Sequence, residues 1–217
     1  MILYKRAKNM QWKLDHLRFL YPPDDFTGTF ANAKMQERHK TIQEQKIQII
    51  LNHLESRDNP LEAMQGLHPL DHLQFLHNNL GKFKDGGCLE KTVLLLYCKN
   101  NTPFAAFGNF EEWKSLFIQC DPARLYDLGK PFPFDRTTAF HGSMTGNPKS
   151  LSWTISREET AWFLDRWQDK NLGGGTIFAL EISRPDILVY TEDEQRREVI
   201  LVPEVAEKAV VQEIDSL

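Results

Sequence analysis

The chain of 217 residues has few cysteines, no net positive charge and no long uninterrupted apolar run. Each shortage removes a class of protein. Cys88, Cys98 and Cys120 are few, odd in number and lack metal-ligand spacing, which fits reduced, inert thiols in a cytoplasmic protein better than a disulfide framework. A formal charge of -4 and a pI near 6.0 give no general electrostatic pull toward nucleic acid, although a local basic patch is invisible in such a sum. No stretch is long and apolar enough to span a bilayer. Gln11, Lys13, Asp15 and His16 also interrupt any signal-peptide core, so the expectation is a cytoplasmic protein without membrane attachment. Internal repeats and low-complexity tracts are absent as well.

What is present is an ordinary globular composition, 41% apolar and 26% charged, in a chain long enough to bury a core. The first 130 residues read as mainly helical. Met10, Leu14 and Leu17, with Trp12 and Phe19 nearby, predict a modest helix that Pro22-Pro23 ends. Gln36 to Glu55 predicts a stronger helix whose stripe of Ile42, Ile49, Ile50 and Leu54 is wide enough to meet more than one neighbour. Asn59-Pro60 caps a short helix that ends near Gly66, and Pro69 opens another that stops at Gly81. His68, Asp71, His72 and His77 crowd the start of that helix. They read as capping and surface groups rather than metal ligands, because no acidic or sulfur ligand recurs at metal-site spacing. Val93 to Tyr97 is a continuous apolar run that periodicity assigns to neither helix nor strand. Asn109 with Glu112 predicts a capping box, and Asp121-Pro122 begins a helix that Gly129 ends.

After Lys130 the pattern changes. Pro131 and Pro133 end the helical periodicity, and strands are predicted at Thr137–His141, Leu151–Ile155, Thr176–Ile182, Ile187–Thr191 and Arg197–Val202. The fold class is therefore α+β, with a helical region over residues 1–130 and a compact sheet core over 131–217; one continuous domain is the alternative. Ser156, with Glu159 three residues on, predicts a capping box for a helix whose face carries Thr160, Phe163, Leu164 and Trp167. Gly173-Gly174-Gly175 lacks a following helix and a Walker lysine, so it reads as a turn rather than a phosphate cradle. In the last strand Glu198, Ile200 and Val202 share one face, and Val199 and Leu201 the other. Such a strand is central and covered, and a carboxylate at its leading end needs a cleft or a partner. Pairing with Arg196 or Arg197 at a sheet edge is the structural explanation.

Three short motifs fall in or beside these strands: Phe140-His141-Gly142-Ser143, Ser152-Trp153-Thr154 leading into a helix, and Arg197-Glu198-Val199-Ile200-Leu201. In that order they resemble the three active-site motifs of the ADP-ribosyltransferase superfamily, over roughly residues 136 to 203. The resemblance implies a split-sheet catalytic core and an enzyme that consumes NAD as a substrate. It implies that Glu198 is catalytic, hydrogen-bonding the nicotinamide ribose and opposing positive charge as the glycosidic bond breaks. His141 would bind the adenosine-side ribose, and Gly142 would let the cofactor approach the backbone closely. Ser152 would position Glu198 and Trp153 would wall the nicotinamide, with Ser143 and Thr154 completing the NAD-binding set; no metal is implied.

His141 resembles the histidine branch of the superfamily, whereas Ser152-Trp153-Thr154 is closer to the serine motif of the arginine branch. Two residues before Glu198 stands Arg196, not the Glu or Gln of many enzymes that modify arginine. The implied acceptor is therefore a macromolecule, either RNA or DNA or a protein, and the implied setting is a small bacterial toxin-like transferase with a neutralising partner protein. Two alternatives stay open. One is an RNA 2'-phosphotransferase-like enzyme, whose basic pocket needs several convergent His and Arg residues, for which His141 and Arg136 or Arg184 are available; the other is an inactive module of the same fold.

Overall fold

The computed structural model describes residues 11–20, 32–98, 108–167, 175–192, 197–208 and 212–214. The architecture is α+β, with helices concentrated in the first half. Packing divides the chain into two compact units, Met1–Thr92 and Val93–Leu217, well before the compositional change at residue 130.

In the first unit, helix α1 (Ala33–Glu55) starts where the Asn32 side chain accepts from the Met35 N–H at 3.0 Å. Leu51 and Leu54 are buried, but Ile42 and Ile49 are exposed, so the expected broad packing stripe is covered only toward its end. Helix α2 (Pro60–Gln65) is capped by Asn59, which accepts from the Leu61 N–H at 2.9 Å. A single-turn 3-10 helix (Pro69–Asp71) leads into α3 (His72–Asn78) and α4 (Leu80–Asp85). The helix expected to run to Gly81 breaks earlier, at Asn79, and Gly81 lies inside α4. Asn79 is buried because its side chain is needed elsewhere: it accepts from the Lys13 N–H at 2.9 Å and donates to the Lys13 carbonyl at 2.9 Å.

That pairing explains a second correction. The expected amino-terminal helix is not formed over residues 11–20, which are irregular, and its earlier residues lie outside the described set. Trp12, Leu17 and Leu20 are buried as an amphipathic segment requires, and the Trp12 indole donates to the Leu54 carbonyl at 2.9 Å. The backbone groups that a helix would pair internally are taken by side chains instead. Buried Asp71 accepts from the Arg18 and Phe19 N–H groups, each at 2.8 Å. The neighbouring histidines serve the backbone too. His68 Nδ1 accepts from the Leu70 N–H at 3.2 Å, and His72 Nε2 lies 3.1 Å from the Leu67 carbonyl. Among the described residues no three His, Cys, Asp or Glu side chains gather as a metal set.

The apolar run left open by periodicity is helical, within α5 (Leu89–Cys98). Leu94, Leu95 and Leu96 are good helix formers, and buried Leu89 and Val93 recur at the four-residue helical spacing. Helix α6 (Phe110–Ile118) has the full capping box: Asn109 Oδ1 accepts from the Glu112 N–H at 3.0 Å, and Glu112 accepts from the Asn109 N–H at 2.8 Å. Helix α7 (Pro122–Asp127) is capped by Asp121. Gly129 then passes so close to the sheet that a Cβ there would meet the Tyr190 carbonyl oxygen at 2.5 Å.

Among the described residues six strands follow: β1 (Arg136–Ser143), β2 (Ser152–Thr154), β3 (Thr176–Ser183), β4 (Ile187–Glu192), β5 (Arg197–Leu201) and β6 (Gln212–Ile214), the last not anticipated. Helix α8 (Arg157–Trp167) lies between β2 and β3 in sequence, and α9 (Pro203–Lys208) between β5 and β6. All pairings are antiparallel, in the order β4-β5-β2-β1-β3-β6. Strand β5 is internal and Val199, Ile200 and Leu201 are buried, as its apolar alternation required. Among the described residues no helix is long and apolar enough to cross a membrane.

Candidate active site

Strands β1, β2 and β5 are consecutive in the sheet, so the three polar motifs, far apart in sequence, become lateral neighbours. Thr154 pairs with Glu198 and Ser152 with Ile200, which places Ser152 diagonally across from Glu198 on one face of the sheet. The Ser152 hydroxyl donates to Glu198 Oε1. Each is half-buried, so the carboxylate is held by a defined donor while keeping access to solvent. The Arg197 guanidinium, one of the two partners expected for Glu198, donates through Nε to Glu159 at 3.1 Å.

Phe140 pairs with Thr154, so alternation puts His141 beside Trp153, on the face opposite Ser152 and Glu198. The His141 and Trp153 ring centroids are 5.4 Å apart. Burial pushes the His141 pKa down to about 4, against a smaller opposing effect from its hydrogen bond to the Ser152 backbone. At neutral pH the ring is therefore uncharged, with one donor nitrogen and one acceptor. The three expected residues are thus joined through Ser152, by its hydroxyl to Glu198 and by its backbone to His141.

The other expected binding residues are used within the fold. Trp153 is only 2% exposed and its indole donates to the Ser150 carbonyl at 2.8 Å, so it backs the imidazole rather than offering a free wall. A Cβ on Gly142 would meet Leu164 Cγ at 3.0 Å and Thr160 Cγ2 at 3.1 Å, so the space that its hydrogen leaves is filled by α8. Gly175 faces the same leucine, where a Cβ would lie 2.4 Å from Leu164 Cδ2; Gly173 and Gly174 lie outside the described residues. Ser143 is buried and its hydroxyl accepts from the Thr145 N–H at 3.3 Å. Thr154 accepts from the Ser156 N–H at 3.1 Å and donates to Glu159 at 2.7 Å.

That last bond corrects the reading of the α8 cap. Ser156 Oγ does accept from the Glu159 N–H, at 3.2 Å, but the Glu159 carboxylate turns to Thr154 and Arg197. Ser156 donates instead to Glu158, at 2.9 Å. Its backbone bond and the Ser156 hydroxyl hold the Glu158 pKa below the usual carboxylate range, against a small effect of burial.

Tyr97 is a second residue that the linear pattern did not reveal. Its ring packs edge-on against Trp113 and Phe117, with centroids 5.1 and 5.2 Å away. Burial first, and then the nearby Glu198 charge, raise its pKa well above the ordinary tyrosine value, so the hydroxyl stays protonated. Its hydrogen bonds to the Ser150 side chain and the Ser152 backbone oppose that rise and place it beside the serine that holds Glu198. The available signal was chemical: a tyrosine inside an apolar helical run must find a partner for its hydroxyl. Arg184 stacks over Tyr126, 5.0 Å from its centroid; Arg136 is exposed at the start of β1; and Arg196 lies outside the described residues.

The site so defined is a hydroxyl-tethered carboxylate linked through one serine to a neutral imidazole, on three adjacent antiparallel strands. Such a set can accept hydrogen bonds from sugar hydroxyls and oppose a developing positive charge. No protein-family model, no curated protein and no solved structure matches the chain.

Proposed function

We propose that this chain is an NAD-dependent ADP-ribosyltransferase of the small, bacterial toxin-like sort, with an ADP-ribosyltransferase-like sheet, and that it transfers ADP-ribose to a nucleic acid or protein acceptor. The observation that carries the reading is the Ser152 to Glu198 hydrogen bond between β2 and β5, with His141 tied to the same serine from β1. It links the three sequence motifs through one serine, with Glu198 on one face of the sheet and His141 on the other.

The donor set suits the chemistry. Glu198 accepts from a hydroxyl of the nicotinamide ribose and opposes the charge that grows on the ribose as the carbon–nitrogen glycosidic bond breaks. Nicotinamide leaves with the bonding electron pair; an acceptor nucleophile bonds to the same carbon and gives up its proton. Ser152 keeps the carboxylate aimed, and uncharged His141, whose N–H is taken by the Ser152 backbone, keeps its other nitrogen as an acceptor for a hydroxyl of the adenosine-side ribose.

The test is transfer of label from NAD to lysate macromolecules, with protein and RNA fractions separated and modified sites located by mass spectrometry. Glu198→Gln removes the opposing charge at nearly constant shape and lowers turnover about 10²- to 10³-fold. Ser152→Ala removes one hydrogen bond to a charged group, about 1.5 to 3 kcal/mol, and so lowers turnover roughly 10- to 150-fold. Transfer undiminished in folded Glu198→Gln protein would sink the proposal.

A further inference from the structure

The carboxylate of Glu159 gathers three donors at the point where β5 begins. Oε2 accepts from the Thr154 hydroxyl at 2.7 Å and from the Arg197 N–H at 3.1 Å, and Oε1 accepts from Arg197 Nε at 3.1 Å. The Arg197 carbonyl is taken as well, by the Ile155 N–H at 3.2 Å. Both backbone groups of the residue immediately before Glu198 are therefore fixed to the junction of β2 and α8. Glu159 itself is set by the helix start, where its N–H donates to Ser156 Oγ. Ser152 holds the Glu198 side chain from one end of β2, and Glu159 holds the backbone leading into Glu198 from the other.

We propose that Glu159 is a positioning residue for Glu198: it acts through Arg197 and Thr154, touches no substrate, and fixes the direction in which the Glu198 carboxylate leaves β5. The proposal rests on the transferase reading for its kinetic consequence but not for its geometry. A group held by two backbone bonds and one diagonal hydroxyl loses its aim when the backbone anchor goes, and misplacing a reacting group by about 1 Å costs as much as 10²-fold in rate. A purely structural role for Glu159 would lower stability and leave turnover per folded molecule unchanged.

The test uses the full chain with Glu159→Ala, Glu159→Gln and Thr154→Val. Kinetically, Glu159→Ala lowers kcat about 10- to 10²-fold with KM for NAD within about twofold of the parent. Glu159→Gln keeps a neutral acceptor and loses less, and combining it with Thr154→Val gives less than the product of the single effects because both act on one network. Independently of turnover, carbon-13 carboxyl NMR of Glu198 through a pH titration shifts in Glu159→Gln, and the Arg197 amide loses protection from hydrogen exchange. An unchanged Glu198 carboxyl signal in folded Glu159→Gln overturns the positioning role. A parent protein that consumes no NAD overturns the transferase reading instead, and the NMR result still decides what Glu159 does.

Discussion

Replacing Gly142 with alanine separates two reasons for a glycine at that position. Gly142 does not have a positive φ, so the substitution brings no backbone strain. The added Cβ lies 3.0 Å from Leu164 Cγ, 3.1 Å from Thr160 Cγ2 and 3.2 Å from Leu164 Cδ2, so α8 must yield by a few tenths of an ångström. Overpacking of this kind costs about 1–3 kcal/mol, and the reduced freedom of the unfolded chain returns about 0.4–1 kcal/mol, which leaves a net loss of up to about 2.6 kcal/mol, with about 1 kcal/mol as the central value. Leu164 is 4% exposed, and Leu164→Ala by itself costs about 2–5 kcal/mol through the cavity it leaves. In the double variant the new methyl enters the vacated space, so the two losses sum to less than their parts by roughly 1 kcal/mol or more. Urea unfolding followed by tryptophan fluorescence reads this out, because Trp113, Trp153, Trp162 and Trp167 all belong to the unit Val93–Leu217. The midpoint of Gly142→Ala should fall with an unchanged slope. Strict additivity in the double variant would refute the helix-packing account. Unaltered stability together with lost NAD turnover would return Gly142 to the role of admitting a ligand.

Two further predictions concern buried polar groups. The His141 pKa is depressed in the folded state, to about 4, so the unfolded chain binds the extra proton between that value and the ordinary histidine range. Stability from this group is full above pH about 6.5 and is lost as pH falls toward 4; His141→Gln should flatten that part of the stability profile in urea titrations. Asp71→Asn leaves one oxygen for two N–H donors, those of Arg18 and Phe19, and should cost about 1–3 kcal/mol with faster hydrogen exchange at both amides; unchanged exchange would show that Asp71 does not hold this segment.

Local chemistry was legible wherever its partners are close in sequence. Asn59-Pro60, Asn109 with Glu112, and Asp121-Pro122 start helices because their donors lie within three residues. Strand-like segments located five of the six strands among the described residues, and the covered character of β5 followed from apolar residues on both its faces. Where the partner is remote, local signals misled. The 11–20 segment has helical spacing, but its N–H groups go to Asp71 and Asn79, about fifty to seventy residues away by sequence. Gly81 resembles a helix stop, yet the break falls at Asn79, whose amide is spent on Lys13. Glu159 stands at the capping-box position, yet Arg197 offers its carboxylate a charged donor and a backbone donor together.

The residue types of the candidate site, their order and the strands that carry them were readable along the linear chain, because strand alternation and motif spacing are local properties. That β2 lies between β1 and β5 emerges from the folded sheet alone, since antiparallel order depends on pairing over long separations. From that order follow the Ser152 to Glu198 bond, the placement of His141 on the opposite face, and the filling of the Gly142 space by Leu164. These are contacts between residues that no local periodicity relates, so packing had to choose them.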